Sequence, residues 1–248
     1  MSKFDAAVLG FVLGFALCMA FMVYFVKETA TNEELRYSLR TVEKNFPHRK
    51  VWIYGGAPFG IKTDELVRLA QTGDNKWDKV RNMFQMVCRN EEITENFVLF
   101  NDDFFIMKPV KSLQYMYRCS LEEHIDIVEQ KFGNAPTNYT KQLRKLAAVL
   151  EENGLDTKSY ELHLPIIFNR KKLQKMMHEF PGVHGTRTLY GNYYNVGGRK
   201  TADVKVFRRG QPFSKSSRFL STDDLIFRDC PVGVFIRKKF PDKSRFEE

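Results

Sequence analysis

Two adjacent carboxylates, Asp102 and Asp103, sit between two strongly apolar runs, Phe97-Val98-Leu99-Phe100 and Phe104-Phe105-Ile106-Met107. Burying an unpaired carboxylate is costly, so the pair needs solvent, a basic partner or a metal. It also falls at the carboxyl end of an expected strand, where open α/β sheets place their ligands. Hard oxygen ligands suit Mg²⁺ or Mn²⁺, which can bridge a diphosphate. An equally simple reading is a solvated turn between two hairpin strands. Successive strand side chains point to opposite faces, so both carboxylates can face one metal only if the chain turns there.

Other residues offer chemistry with less context. His163, in Glu161-Leu162-His163-Leu164-Pro165, is flanked by apolar residues. Such a His is ordinarily a hydrogen-bonded core residue, yet its titration near neutral pH also suits acid–base work. Asp223-Asp224 follows Phe219-Leu220-Ser221-Thr222 and reads most simply as a helix cap. Residues 199–218 carry seven bases (Arg199, Lys200, Lys205, Arg208, Arg209, Lys215 and Arg218) against one acid, Asp203. Solvated surface and a phosphate-binding face both fit that run. No GxxxxGK[ST], GxGxxG, HExxH or GxSxG pattern occurs, which removes the commoner nucleotide-hydrolase, dinucleotide and α/β-hydrolase readings.

The elements that must position these residues follow from periodicity. Thr31-Asn32-Glu33-Glu34 reads as a capping box with Thr31 at the cap, and Leu35, Leu39 and Val42 recur at helical spacing until Pro47. Val51-Trp52-Ile53-Tyr54 is a strand closed by Gly55-Gly56. Helices are expected near Asp64 to Gln71 and from Asn75 to Arg89, the latter with Trp77, Val80, Phe84 and Val87 on one face. Phe97 to Phe100 has the composition of a central strand. The middle section, about 110–160, is helical in character, with an amphipathic stretch from Tyr139 to Asn153 stopped by Gly154. Residues 181–220, rich in Gly, aromatics and base, look loop-like with short strands. Strand and helix alternate, which is the α/β pattern with a mainly parallel sheet.

The 248 residues and 43% hydrophobic content exclude a disordered chain and suit one sizeable domain. Thirty-nine bases against 30 acids give a net charge of +9, which points to anionic partners. No recognition helix or RNA platform accompanies the charge, so nucleic acid is not the expected partner. Cys18, Cys88, Cys119 and Cys230 are scattered without a CxxC and read as reduced thiols.

Two readings of the N-terminus stay open. Ala6 to Val26 is an uncharged apolar run long enough to span a membrane as a helix, and the flanking bases would leave the domain facing the cytoplasm. Alternatively Phe21 to Val26 is the first strand, the chain divides into an apolar segment 1–20 and a domain 21–248, and translation starts at Met19 or Met22 to give a soluble cytoplasmic protein.

Several motifs resemble the Stealth family of hexose-1-phosphate transferases, which make capsular polysaccharide and include the lysosomal-enzyme GlcNAc-phosphotransferase. Asn32 to Asn45 (NEELRYSLRTVEKN) is similar to the family's "DNEELRYSLRSIE", and Phe97 to Asp103 to its "FIYLNDD". Phe219 to Asp224 and Phe240 to Glu247 look like its closing "F…ND…FPxxSxFE", and Glu161 to Pro165 with Arg187 is similar to its "HxP" region. The resemblance covers most of residues 22–247. This chain departs where the family opens with "DVVYTWVDG": the matching stretch is Met22 to Lys27, without the Asp. The segment between Gly60 and Asn75 is also shorter, as in a compact, divergent member from bacteria or their phages.

The resemblance implies a glycosyltransferase-A-like, three-layer α/β domain. It implies a nucleotide-diphosphate sugar donor, a glycan or polysaccharide acceptor and a Mg²⁺ or Mn²⁺ cofactor. The implied reaction moves a sugar-1-phosphate to an acceptor hydroxyl. On this basis Asp102 and Asp103 would hold the metal, while Arg36, Arg40 and Asn101 would hold donor phosphate. His163, Asp224 and Arg187 would form the catalytic group. Transfer of the sugar alone and an inactive, tethered glycan- or anion-binding protein are the alternatives.

Overall fold

The computed structural model describes residues 20–69 and 75–248. In chain order the elements are β1 (Phe21–Val26), α1 (Glu33–Asn45), β2 (Lys50–Gly55), β3 (Glu65–Arg68), α2 (Lys76–Arg89), β4 (Asn96–Asn101), β5 (Phe104–Ile106) and β6 (Met116–Tyr117). Then follow α3 (Leu121–Gln130), α4 (Asn138–Glu152), β7 (Ile166–Asn169), α5 (Arg170–Glu179), α6 (Thr186–Tyr193), β8 (Arg199–Lys200), β9 (Phe219–Ser221), α7 (Asp224–Asp229) and α8 (Pro231–Lys239).

The central sheet runs β3-β2-β1-β4-β7. All pairings are parallel except β4 with β7 at one edge. Residues of β1 and β4 are apolar on both faces because helices cover both faces. Phe21, Val23, Phe97 and Leu99 face α2, α4, α5 and α6. Met22, Tyr24, Val98 and Phe100 face α1 and β5. A third apolar cluster joins Phe105 and Leu220 to α7 and α8. Each fully buried Phe of this set contributes about 2 kcal/mol of transfer free energy.

Phe21–Val26 is the central strand, so the run from Ala6 to Val26 is not a single helix. Its aromatic and β-branched end gains more from pairing with β2 and β4 on both sides. The anchor segment before residue 20 lies outside the described residues. Among the described residues no helix is long and apolar enough to cross a membrane.

Three local expectations change. Residues 65–68 form an edge strand, where a helix over Asp64 to Gln71 was expected. The Asp64 carboxylate accepts the Val51 amide at 2.8 Å and the Thr63 hydroxyl donates to the Val51 carbonyl at 2.8 Å, which locks the segment beside β2. Tertiary pairing overrides the local helix preference. Within 181–220, Thr186–Tyr193 is helical, opened by Gly185 in a left-handed conformation. A Cβ there would meet Leu146 Cδ2 at 2.5 Å. The cap of α1 is Asn32 rather than Thr31. Cys88, Cys119 and Cys230 are buried free thiols, as expected, and Cys18 lies outside the described residues.

The C-terminus is fastened back onto α1. Glu247, with a fully buried side chain, accepts Arg40 Nε and Nη2 at 2.7 Å and Arg36 Nη1 at 3.1 Å. Arg40 also donates to the carbonyls of Phe240 and Pro241. Burial alone would raise the Glu247 pKa, but the two guanidiniums and the Ser244 amide outweigh it and hold it at about 2. Glu247→Gln is expected to lose about 3 kcal/mol, because Arg40 is left uncompensated. Because the folded pKa lies below the usual 4.5, the Glu247 contribution is present above that pH and fades as pH falls towards about 2. Urea titrations of both proteins between those pH values should therefore converge.

Candidate active site

The strand order reverses between β1 and β4: the chain moves from β1 outward to β2 and β3, then returns to place β4 on the other side. Ligands of open α/β sheets sit at such a switch, beyond the carboxyl ends of the strands. A cavity of about 470 Å³ lies there. Phe25 and Lys27 enter it from β1, and Leu99, Asn101 and Asp102 from β4. Trp77 and Phe84 of α2 and Tyr139 of α4 supply aromatic wall, and Glu161 and Arg187 close the far side. Lys27, Lys76, Lys79, Arg81 and Arg187 outnumber Asp102 and Glu161, so the cavity favours an anion.

The chain turns directly after β4, and the turn separates the two carboxylates. Asp102 lines the cavity, with Oδ2 accepting the Asn32 amide at 2.6 Å. Asp103 accepts Lys205 Nζ at 2.5 Å and the Ser221 hydroxyl at 3.2 Å through Oδ2. Its Oδ1 is buried without a hydrogen-bond partner. The hairpin expectation fails, because β5 pairs with β9 and not with β4.

More negative charge gathers behind the turn than the pair alone supplies. Burial and then the Asp103 charge push Asp102 up to about 6, against the opposing Asn32 hydrogen bond. Glu34 is only 5% exposed and bonds the Thr222 hydroxyl. Its carboxyl is pushed up to about 9, first by burial and then by the Asp103, Asp102 and Asp224 charges, which outweigh the Thr222 bond. Glu34 is therefore a neutral acid near pH 7. Asp223 caps α7 by accepting the Ile226 amide at 3.0 Å. Asp224, exposed in the first turn, adds its charge to Asp102 and Glu34.

The hard oxygen donors of Asp102 are of the kind that suits a divalent cation, and behind the turn the buried Asp103 Oδ1 has no hydrogen-bond partner although Oδ2 is paired with Lys205. Among the described residues no three His, Cys, Asp or Glu side chains converge as a metal cage. Asp102 is the carboxylate on the cavity that a cation would use. Asp103 contributes charge while bound to Lys205.

His163 is not a core residue. Its side chain is 38% exposed and Nδ1 lies 2.8 Å from Asp203 Oδ2, while its backbone amide donates to Asp203 Oδ1 at 3.1 Å. Burial would raise the Asp203 pKa. The two His163 hydrogen bonds and the Arg118 guanidinium at 3.4 Å outweigh it and hold the carboxyl well below the usual range. An ionised Asp203 only accepts, so the neutral imidazole carries its proton on Nδ1 and offers Nε2 as a base. The ring packs edge-on against Phe104, next to Asp103.

Arg187 joins the two halves. Nη1 donates to the carbonyls of Leu162 and Leu164, on either side of His163, at 2.8 and 2.7 Å. The guanidinium lies over the Phe104 ring, and its buried Nη2 has no hydrogen-bond partner. Burial lowers its pKa, partly offset by Glu161, Asp103 and Asp203.

Of the residues expected at the site, Asn101, Asp102 and Arg187 line the cavity, whereas Asp103, His163 and Asp224 do not: His163 is joined to it through Phe104 and Arg187, and Asp224 acts on Asp102 by its charge. The lining does not include Arg36 or Arg40, whose guanidiniums are engaged by Glu247 at the opposite side of α1 from its buried face. Nor does the basic run 199–218 line the cavity: Lys205 pairs with Asp103, Lys200 with Glu123 and Arg209 with Asp229. Lys27, which follows β1, stands at the cavity. Asn32, Glu34 and Asp203 were not singled out from sequence. Asp203 carried one signal, as the only acid within 199–218.

No family model and no curated protein matches this chain. Among solved structures, the apo-form glycosyltransferase GlyE of Streptococcus pneumoniae TIGR4 is similar over 74% of this chain and 45% of that one. The two share 9% identity with a TM-score of 0.33. The chain spans less than half the length of that structure.

Two measurements test these electrostatics. Long-range ¹H–¹⁵N correlation spectra should show Nε2 of neutral His163 unprotonated, and Asp203→Asn should remove that preference. For Glu34 the folded pKa lies above the unfolded value, so its stabilising contribution is complete below 4.5 and fades as pH rises towards about 9. Glu34→Gln keeps an acceptor for Thr222, so it should match the wild type near pH 4.5 and exceed it progressively to pH 9. Equal stability at both ends would show that Glu34 ionises freely.

Proposed function

We propose that this chain is a metal-dependent transferase acting on a nucleotide-diphosphate sugar, moving the sugar-1-phosphate to a hydroxyl of a glycan or polysaccharide acceptor. The observation that carries the reading is the Asp102 carboxylate at the lip of a cationic cavity, at the carboxyl ends of β1 and β4. A diphosphate needs positive charge on both sides, and Lys27, Lys76 and Arg187 supply it from the walls. A Mg²⁺ or Mn²⁺ ion on Asp102, when bound, neutralises diphosphate charge. The aromatic wall of Phe25, Trp77 and Tyr139 suits the base or the sugar ring.

The chain's own residues then have defined tasks. His163 Nε2 takes the proton of the acceptor hydroxyl, and Asp203 stabilises the imidazolium that results. The acceptor oxygen bonds to the sugar-bearing phosphorus, the bridging P–O bond to the nucleotide breaks, and the nucleoside monophosphate leaves. Arg187 fixes the His163 backbone through the Leu162 and Leu164 carbonyls and presents Nη2 to phosphate oxygen. Positioning and charge neutralisation dominate such a transfer.

A nucleotide sugar labelled in both sugar and β-phosphate tests the reading. Release of the nucleoside monophosphate, with both labels on the acceptor, is the expected result. Release of the diphosphate would establish sugar transfer alone. Asp102→Asn should abolish Mn²⁺-dependent thermal stabilisation by the donor, which in the wild type reaches about 2.7 kcal/mol at a hundred times Kd. Donor stabilisation that survives this change would remove the metal from the proposal.

A further inference from the structure

We propose that Asn32 is the positioning residue for Asp102, coupling the first turn of α1 to the cation- and diphosphate-binding carboxylate. The inference rests on the reading of Asp102 given above and adds a residue to it. Asn32 uses both ends of its amide. Oδ1 accepts the Leu35 backbone N–H at 2.8 Å and caps α1. Nδ2 donates to Asp102 Oδ2 at 2.6 Å, across 70 positions of sequence.

Capping alone does not require Asn, because Ser, Thr and Asp cap as well. Of these only Ser and Thr carry a donor, one O–H on a shorter side chain, whereas the Asn32 amide donates to Asp102 while its oxygen caps α1. The cap bond fixes the amide plane, and the plane fixes where Nδ2 points. Behind it α1 is rigidly seated: Leu35, Leu39 and Val42 have no exposed surface. Tyr24 of β1 and Ser38 of α1 share a hydrogen bond at 3.0 Å, and the Ser38 hydroxyl donates to the Phe104 carbonyl two residues beyond Asp102 at 2.5 Å. The carboxylate is therefore held from α1 through Oδ2. Partners of this kind orient metal-ligating groups, and their removal typically weakens metal binding about 10–100-fold.

Mn²⁺ alone and Mn²⁺ with inorganic pyrophosphate serve as probes, titrated by electron paramagnetic resonance against wild type, Asn32→Ser and Asn32→Thr. Circular dichroism melting is measured on the same samples. The two variants keep a capping hydroxyl and should melt with the wild type, yet bind Mn²⁺–pyrophosphate about 10–100-fold more weakly. Asp102→Asn should not bind it. Variants that fold and bind like the wild type would overturn the role of Asn32 and leave the Asp102 reading intact. A wild type that takes up no Mn²⁺ with pyrophosphate would overturn the metal reading and the Asn32 role together. Should one variant melt early, the other carries the comparison, since Ser and Thr differ only in a methyl group.

Discussion

Carboxylates delivered to the edge of an apolar core must find positive charge, and much of this molecule is arranged around that requirement. Phe97 to Phe100 are buried on both faces of the sheet. The next residues, Asn101, Asp102 and Asp103, emerge where the strand ends. Asp103 meets Lys205 and Ser221, which brings the segment after α6 and strand β9 across the back of the turn. Asp102 accepts the neutral amide of Asn32. One carboxylate thus ties β9 and the segment after α6 to the turn, and its neighbour faces the cavity.

The same logic explains the neutral Glu34. A third carboxylate in this field would add repulsion, so the proton stays and the acid serves as a hydrogen-bonding group beneath Thr222. Glu34, Ser38 and Thr41 are polar positions on the buried face of α1. Ser38 and Thr41 bond the Phe104 carbonyl and the Ile106 amide, so the helix anchors the chain leaving the Asp turn. The opposite side of α1 receives Glu247. This helix therefore aligns the acidic turn on one side and fastens the C-terminus on the other, which gives the motif Asn32 to Asn45 a structural reason for its density of polar residues.

His163 and Asp203 show a different division of labour. The His sits in a short apolar segment whose backbone Arg187 grips at two carbonyls, and Asp203 arrives from a loop 40 positions later. Arg187 lines the cavity while its Nη1 holds the His163 segment, so the cavity wall and His163 are mechanically joined. The buried Arg187 Nη2 has no hydrogen-bond partner.

Alternating strand and helix patterns, the both-sided burial of β1 and β4, the capping of α7 by Asp223 and the place of Asp102 at the carboxyl end of a central strand were legible in the sequence. Hydrophobic periodicity and local capping chemistry are properties of short segments, so they can be read without the fold. The strand over 65–68 was not legible, because its partner Trp52–Gly55 outweighs its own preference. The fate of each charge was not legible either. Arg36 and Arg40 look like phosphate ligands until Glu247 is found beside them, more than 200 positions away. Asp102 and Asp103 look equivalent until the turn sends one to Lys205. Sequence determined which residues could carry charge into an apolar setting; only the tertiary structure decided which were neutralised, because the energy of a buried charge depends on the distance to its partner and not on position in the chain.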